Sequence, residues 1–252
     1  MDSARQAYAL ARLAARHAPA AAAADAAGLG ASRGADRYLE LLRRTRSLAP
    51  PESVTASDVD AFEGYLATVW RDTCEEVARW HPPRWQAAFR WAARLADLGA
   101  LDGLRDPGQV RPWALQDPVL GAAAAAPRPQ RPELLAAAGL GPLLSAFGSG
   151  APLAVAWRDH WRTLWPRGET RAVARLLDLE HLLLTAVTGG WSAVDRRARL
   201  GAGLERIYRR SRGTAAVGFC ELARRGLDLQ SWRGGFASRV YVPFTAAGTV
   251  TR

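Results

Sequence analysis

The 252-residue chain has no lysine, one methionine, two cysteines and four histidines. The missing lysine excludes a GxxxxGK[ST] phosphate loop, in which the lysine reaches the nucleotide phosphates. Cys74 and Cys220 lie far apart and neither belongs to a CxxC pair, so they read as free buried thiols of a reducing compartment rather than as a disulfide framework. The histidines (His17, His81, His160 and His181) are dispersed, and no HExxH occurs. Glu180 and His181 are adjacent, which does not put two ligands on one helical face. His181 lies in an apolar run and reads as a helix-contact residue. Cys74 and His81 pair as nucleophile and base by residue type alone, with no third group pointing to that chemistry. No catalytic residue, cofactor or metal is expected, and the chain reads as non-enzymatic.

Long hydrophobic runs are missing too. Residues 134–157 carry no charge, but Gly139, Gly141, Pro142, Ser145, Gly148, Ser149, Gly150 and Pro152 interrupt them. Spanning a bilayer takes about 20 predominantly apolar residues in one run. At the N-terminus Asp2, Arg5, Arg12 and Arg16 break up any secretory signal core. A soluble intracellular protein is expected.

Hydrophobic residues make up 49% of the chain and charged residues 23%, the balance of a folded globular protein. The net charge is +10, carried wholly by arginine. Abundant Ala, Gly and Pro accompany the arginine, as in a GC-rich coding sequence, so arginine use carries no phosphate-binding signature of its own. The positive balance favours acidic partners without choosing among protein, nucleic acid and lipid.

Helical spacing dominates. Residues 3–17 read as a helix, an Ala/Gly-rich link follows, and a second helix over 36–48 stops at Pro50 and Pro51. Ser57 as N-cap with Asp60 in the first turn opens a helix that carries Val59, Phe62, Leu66, Val69, Val77 and Trp80 at helical intervals. Pro82 and Pro83 start another, which runs past Leu101. Residues 106–152 scatter six prolines before Pro142 through alanine and read as an irregular wrap with short helices at best. Helices then follow over 153–165, 169–187, 192–210 (Ser192 and Asp195 repeating the cap) and 214–232, the last stopped by Gly234 and Gly235. Residues 240–242 read as a short strand or extended arm. The fold class is all-α.

Three Asp-Leu pairs share one local frame. Arg94, Asp97, Leu98 and Leu101 form the first, Arg175, Asp178, Leu179 and Leu182 the second, and Arg225, Asp228, Leu229 and Trp232 the third. On a helix the Arg and Asp are i, i+3 neighbours, and the apolar residue four beyond the Asp lies one turn on. The spacing predicts three related helical units, over 1–105, 106–190 and 191–252.

An acid, an aliphatic residue and a downstream Leu on repeated helical units resemble the C/d-type coupling proteins of vacuolar- and archaeal-type rotary ATPases. In that family's motif an Asn precedes the Leu; here Ala100, His181 and Ser231 stand in its place. Tyr8-Ala9-Leu10-Ala11-Arg12 is similar to the family's opening Tyr-x-x-Ala-Arg segment. The resemblance implies a funnel of three helical repeats that hydrolyses nothing. It implies a cytoplasmic protein, peripheral to the membrane, that couples the rotor-stalk subunits of a proton-translocating ATPase to the membrane proteolipid ring.

The other marked features read in two ways. Trp157, Trp161 and Trp165 fall on one helical face at i, i+4 and i+8, as core or as a partner-binding stripe. Arg206, Arg209, Arg210 and Arg212 end a helix, where the dipole favours cations, and also form a candidate docking patch for an acidic partner. Beside the rotary-ATPase coupling role stand a basic helical adaptor or secretion-machinery component, and a helical nucleic-acid-binding protein. The even spread of arginine and the missing helix-turn-helix or RNA-binding signature weigh against the last.

Overall fold

The computed structural model describes residues 2–16, 29–30, 32–45, 49–106, 109–188 and 192–241. Among them no strand occurs, and the elements are α1 (Asp2–Arg16), α2 (Ala35–Arg44), α3 (Val59–Trp80), α4 (Pro83–Ala92), a 3-10 turn (Ala93–Ala96), α5 (Leu98–Arg105), short helices between 112 and 149, α6 (Leu153–Thr163), α7 (Thr170–Thr188), α8 (Ala193–Arg210) and α9 (Ala216–Tyr241). No helix among the described residues is long and apolar enough to cross a membrane.

The chain forms two compact units that interleave in sequence, one from residues 1–17 and 70–227, the other from 18–69 and 228–252. The expected segments 1–105, 106–190 and 191–252 are contiguous; these units each draw on two stretches. Helices α3 and α9 each contribute to both.

In the larger unit an aromatic chain forms the centre. Phe89 of α4 stacks on Phe219 of α9 with centroids 3.9 Å apart. Trp161 of α6 meets Phe219 at 5.3 Å, and the His81 ring lies 4.2 Å from Phe89. Trp91 and Trp157 exchange hydrogen bonds: the Trp91 indole donates to the Trp157 carbonyl at 2.9 Å, and the Trp157 indole donates to the Trp91 carbonyl at 3.1 Å. This satisfies both indole N–H groups and locks α4 against α6. Gly218 permits the closest approach in this core, since a Cβ there would lie 2.7 Å from Phe89 Cζ and 2.8 Å from His81 Cε1.

The Pro/Ala-rich stretch is a run of one- and two-turn helices, as the sequence predicts. Such helices leave most of their carbonyls without intrahelical donors, and arginines supply them. Arg94 donates to the Ala138 carbonyl at 2.8 Å, Arg105 to those of Ala146 and Ala151 at 2.8 and 2.7 Å, and buried Arg131 to those of Ala126 and Leu104. Here arginine acts as a multi-donor clamp on backbone, a role that uses its planar fork rather than its net charge.

The smaller unit packs α2 against the first part of α3 and the last part of α9. Tyr38, Leu39, Leu42, Phe62, Leu66 and Phe236 are buried, with Phe62 and Phe236 at 4.5 Å. Arg239 lies 4.6 Å over the Tyr38 ring and donates to the carbonyls of Leu29 and Ser32 at 2.9 and 3.1 Å.

Several boundaries differ from expectation. Asp58, not Ser57, caps α3, its Oδ1 accepting from the Ala61 N–H at 2.7 Å; Ser57 pairs with Thr55 instead. The helix from Pro83 does not run through Leu101 but breaks into the 3-10 turn before α5. Gly234 and Gly235 do not stop α9, which continues to Tyr241 and so includes Val240 and Tyr241; Val242 lies outside the described residues. Gly235 is there for packing, since a Cβ would come 2.8 Å from Tyr38 Cζ. Ser192 caps α8 as expected, accepting from the Asp195 N–H at 3.1 Å.

Candidate functional site

The most concentrated polar structure lies inside the larger unit. Arg71 of α3 donates from Nε to Asp97 Oδ1 at 3.2 Å, and from both terminal nitrogens to Asp117 at 2.6 and 3.1 Å. Arg94 adds an ion pair to the other Asp97 oxygen at 3.4 Å. Asp117 Oδ1 also accepts the Val119 and Leu120 N–H groups at 2.9 and 3.0 Å, the side-chain-to-backbone pairing that initiates a turn. The side chain of Asp97 is 0% exposed and that of Asp117 3% exposed. Burial pushes the Asp97 carboxyl above its usual range, against the opposing pull of Arg71 and Arg94. Two carboxylates and two guanidinia saturate one another here, so the cluster fastens α3 to the 3-10/α5 junction and to the 117–120 turn.

Of the three Asp-Leu frames, the first therefore sits in a buried break between helices. The second lies mid-helix on α7, where exposed Asp178 pairs with Arg175 along its own helix, Leu179 is buried, and Leu182 packs against Gly203 of α8. The third lies within α9, with Asp228 half-buried, Leu229 buried and the Trp232 carbonyl accepting from Tyr38 Oη at 3.3 Å. The i, i+3 Arg–Asp pair forms in the first and in the second frame, but the three aspartates differ in burial, Asp97 being buried, Asp178 exposed and Asp228 half-buried. The expectation that they are equivalent elements of one repeat finds no support in their surroundings.

The middle of the tryptophan stripe is core, and its two ends, Trp157 and Trp165, are half-buried. Trp161 is buried between Trp157, stacked at 5.4 Å, and Trp165, edge-on at 4.9 Å. Cys74 and His81 are both buried on α3 and just after it, about two helical turns or 10 Å apart along the axis, beyond proton-transfer reach. The His81 Nδ1 shares a hydrogen bond with the Val77 carbonyl at 2.8 Å, and burial lowers its pKa to about 4. Burial raises the Cys74 thiol well above its ordinary value and the Cys220 thiol to about 12. Neither thiol is poised as a nucleophile. His181, expected as a helix contact, is exposed on α7. Among the described residues no group of three His, Cys, Asp or Glu side chains is placed to hold a metal ion.

Arg206, Arg209 and Arg210 are exposed at the end of α8, with exposed Arg212 just beyond. Arg209 pairs with Glu205 at 2.6 Å; Arg206 and Arg210 have no carboxylate partner among the described residues. They form a small, solvated positive surface, available to an acidic counterpart.

Sequence reasoning missed the Arg71–Asp97–Asp117 cluster. Its members are 26 and 46 residues from Arg71, and only Asp117-Pro118, a turn signal, hinted that one of them is anchored. Comparisons with protein-family models, with curated proteins and with solved structures each return no match to this chain.

Proposed function

We propose that this chain is a non-catalytic coupling protein of a vacuolar- or archaeal-type proton-translocating rotary ATPase, acting at the cytoplasmic face between the rotor-stalk subunits and the proteolipid ring. The observation that carries the reading is the opening helix. Tyr8-Ala9-Leu10-Ala11-Arg12 keeps the Tyr-x-x-Ala-Arg spacing, buries Ala9 and Leu13, leaves Tyr8 53% exposed and lays the Arg12 guanidinium 5.2 Å over the Trp80 ring. An all-helical chain with acid–aliphatic pairs on its helices is in keeping with it, although the unlike surroundings of Asp97, Asp178 and Asp228 lend no weight to repeat equivalence. The work is mechanical: a stiff helical body transmits torque, and exposed arginines such as Arg206 and Arg210 guide docking onto acidic surfaces.

The test measures ATP-driven proton pumping beside ATP hydrolysis in membranes from the source cells. Deleting the gene abolishes pumping while hydrolysis persists in the detached head; unchanged pumping refutes the coupling role. Arg206→Glu with Arg210→Glu costs the fold about 1 kcal/mol, mostly through the helix dipole, whereas like-charge contact at an interface costs several kcal/mol. Intact pumping in that folded variant places docking elsewhere on the chain.

A further inference from the structure

The core-facing side of α7 is Ala172, Leu176, Leu179, Glu180 and Ala186, all buried. Its opposite side carries a second series, apolar at Ala174, Leu177 and Leu184. Thr170, Ala174, Leu177, His181 and Leu184 follow one another at intervals of 4, 3, 4 and 3 residues, the spacing of a coiled-coil seam, and all five are exposed. Leu177 is 46% and Leu184 45% exposed. The series runs straight along the helix for about 21 Å at 1.5 Å per residue. Isolated surface leucines need no explanation, but an apolar row in seam register along one helix marks a contact surface.

Its flanks specify the partner's charge. On one edge lie exposed Arg171, which has no carboxylate partner among the described residues, and Arg175, which shares Asp178. On the other edge Glu180, three residues after Leu177 and four before Leu184, is buried and holds Arg162 from α6 in a bond of 2.7 Å, with Arg158 at 3.6 Å. Arg158 also pairs with Asp159 at 2.8 Å, so three carboxylates, all already engaged, stand against four guanidinia. We propose that the solvent face of α7 docks an amphipathic helix of another protein, one with apolar seam residues and acidic flanks. Such a helix would lay its seam on Leu177 and Leu184, fit over the small Ala174, and bring carboxylates to Arg171 and Arg162. A second copy of this chain is disfavoured, because pairing two such faces sets arginine against arginine. The stripe would dock such a helix whether or not the chain belongs to a rotary ATPase.

The test uses two labelled 21-residue helical peptides with identical leucine seams, one flanked by glutamate and the other by arginine, in fluorescence anisotropy titrations against the full chain. The glutamate-flanked peptide is expected to bind about ten-fold more tightly or better, with affinity falling as salt rises. Leu177→Glu with Leu184→Glu should abolish binding while the melting curve stays unchanged, and the milder Leu177→Ala with Leu184→Ala should weaken it. Equal binding of both peptides, no binding, or binding indifferent to these substitutions overturns the proposal. So does self-association in sedimentation that Leu184→Glu abolishes, which names a second copy as occupant. Flotation with anionic vesicles that the same variant abolishes, without peptide binding, names a lipid surface instead.

Discussion

Removing the Arg71 guanidinium tests the balance of the buried cluster most directly. Arg71→Met keeps the aliphatic stem and its packing in α3 but strands two carboxylates. Asp97 is fully buried and is left with Arg94 at 3.4 Å; Asp117 keeps its two backbone donors but loses its guanidinium. Breaking one side of a buried ion pair costs about 3–5 kcal/mol, chiefly because an uncompensated charge is left in low dielectric. For a chain of this size that is a fall in Tm of roughly 6–20 °C. Asp97→Asn is the contrasting change, because Arg71 stays neutralised by Asp117 and the amide oxygen still accepts, so the cost is that of one charged hydrogen bond, about 1.5–3 kcal/mol. Urea unfolding followed by circular dichroism at pH 7 measures both. Proton linkage adds a second readout. Because burial raises the folded Asp97 carboxyl above its usual range, the folded state holds that proton more tightly than the unfolded chain. Stability from this group is therefore fullest at low pH and is lost as pH rises through the folded value. Without Arg71 the carboxylate form is poorer still, so the Arg71→Met deficit should shrink as pH falls from 7 towards 4. A cost below about 1 kcal/mol at pH 7, or an Asp97→Asn penalty exceeding that of Arg71→Met, refutes the electrostatic account.

His81 makes the opposite contribution. With its folded pKa lowered from 6.5 to about 4, the unfolded chain takes up a proton that the folded one refuses. Stability is then full above pH 6.5 and is lost as pH falls towards 4, by about 1.4 kcal/mol per unit; His81→Phe should flatten that slope in urea titrations at pH 5 and 7. Gly218→Ala pushes a methyl into two buried rings and should cost about 1–3 kcal/mol, whereas Gly201→Ala on exposed α8, with nothing within 4 Å, should stabilise by up to about 1 kcal/mol in the same assay. Iodoacetamide at pH 8 should modify neither Cys74 nor Cys220 in the native protein and both after denaturation; rapid native labelling of either, read by mass spectrometry, contradicts their burial.

Helix existence is legible in the sequence because it is local. Paired prolines at 82–83, the Ser192 cap and the 3.6-residue spacing each act over a turn or two, and helices form where these signals lie, whereas the helix expected to reach Leu48 before Pro50 ends at Arg44. The features that escape such a reading are long-range. Gly234 and Gly235 carry the local signature of a stop, but Tyr38, nearly two hundred residues earlier, needs the space that Gly235 leaves. Asp97, Asp178 and Asp228 look alike within an eight-residue window, yet Asp97 falls in a break between helices and the other two within one, and what the rest of the chain lays over each differs. The Asp97 site depends on Arg71 and on a turn at Asp117, and no periodicity encodes that meeting. The outer seam of α7 is written in the sequence, but two apolar faces on one helix blur into a single hydrophobic run when only the spacing is known.

Nine of the ten tryptophans fall in the sequence range of the larger unit, and only Trp232 in the smaller. Intrinsic fluorescence of this protein is thus an almost single-unit signal. The stacked Trp157–Trp161 pair, at 5.4 Å, is also close enough for its ring transitions to couple. Far-ultraviolet helicity, by contrast, is summed over both units. A denaturation followed by emission and by ellipticity in the same cuvette would therefore trace two different objects: coincident curves mean that the units melt as one, and separated curves give the stability of each without cutting the chain.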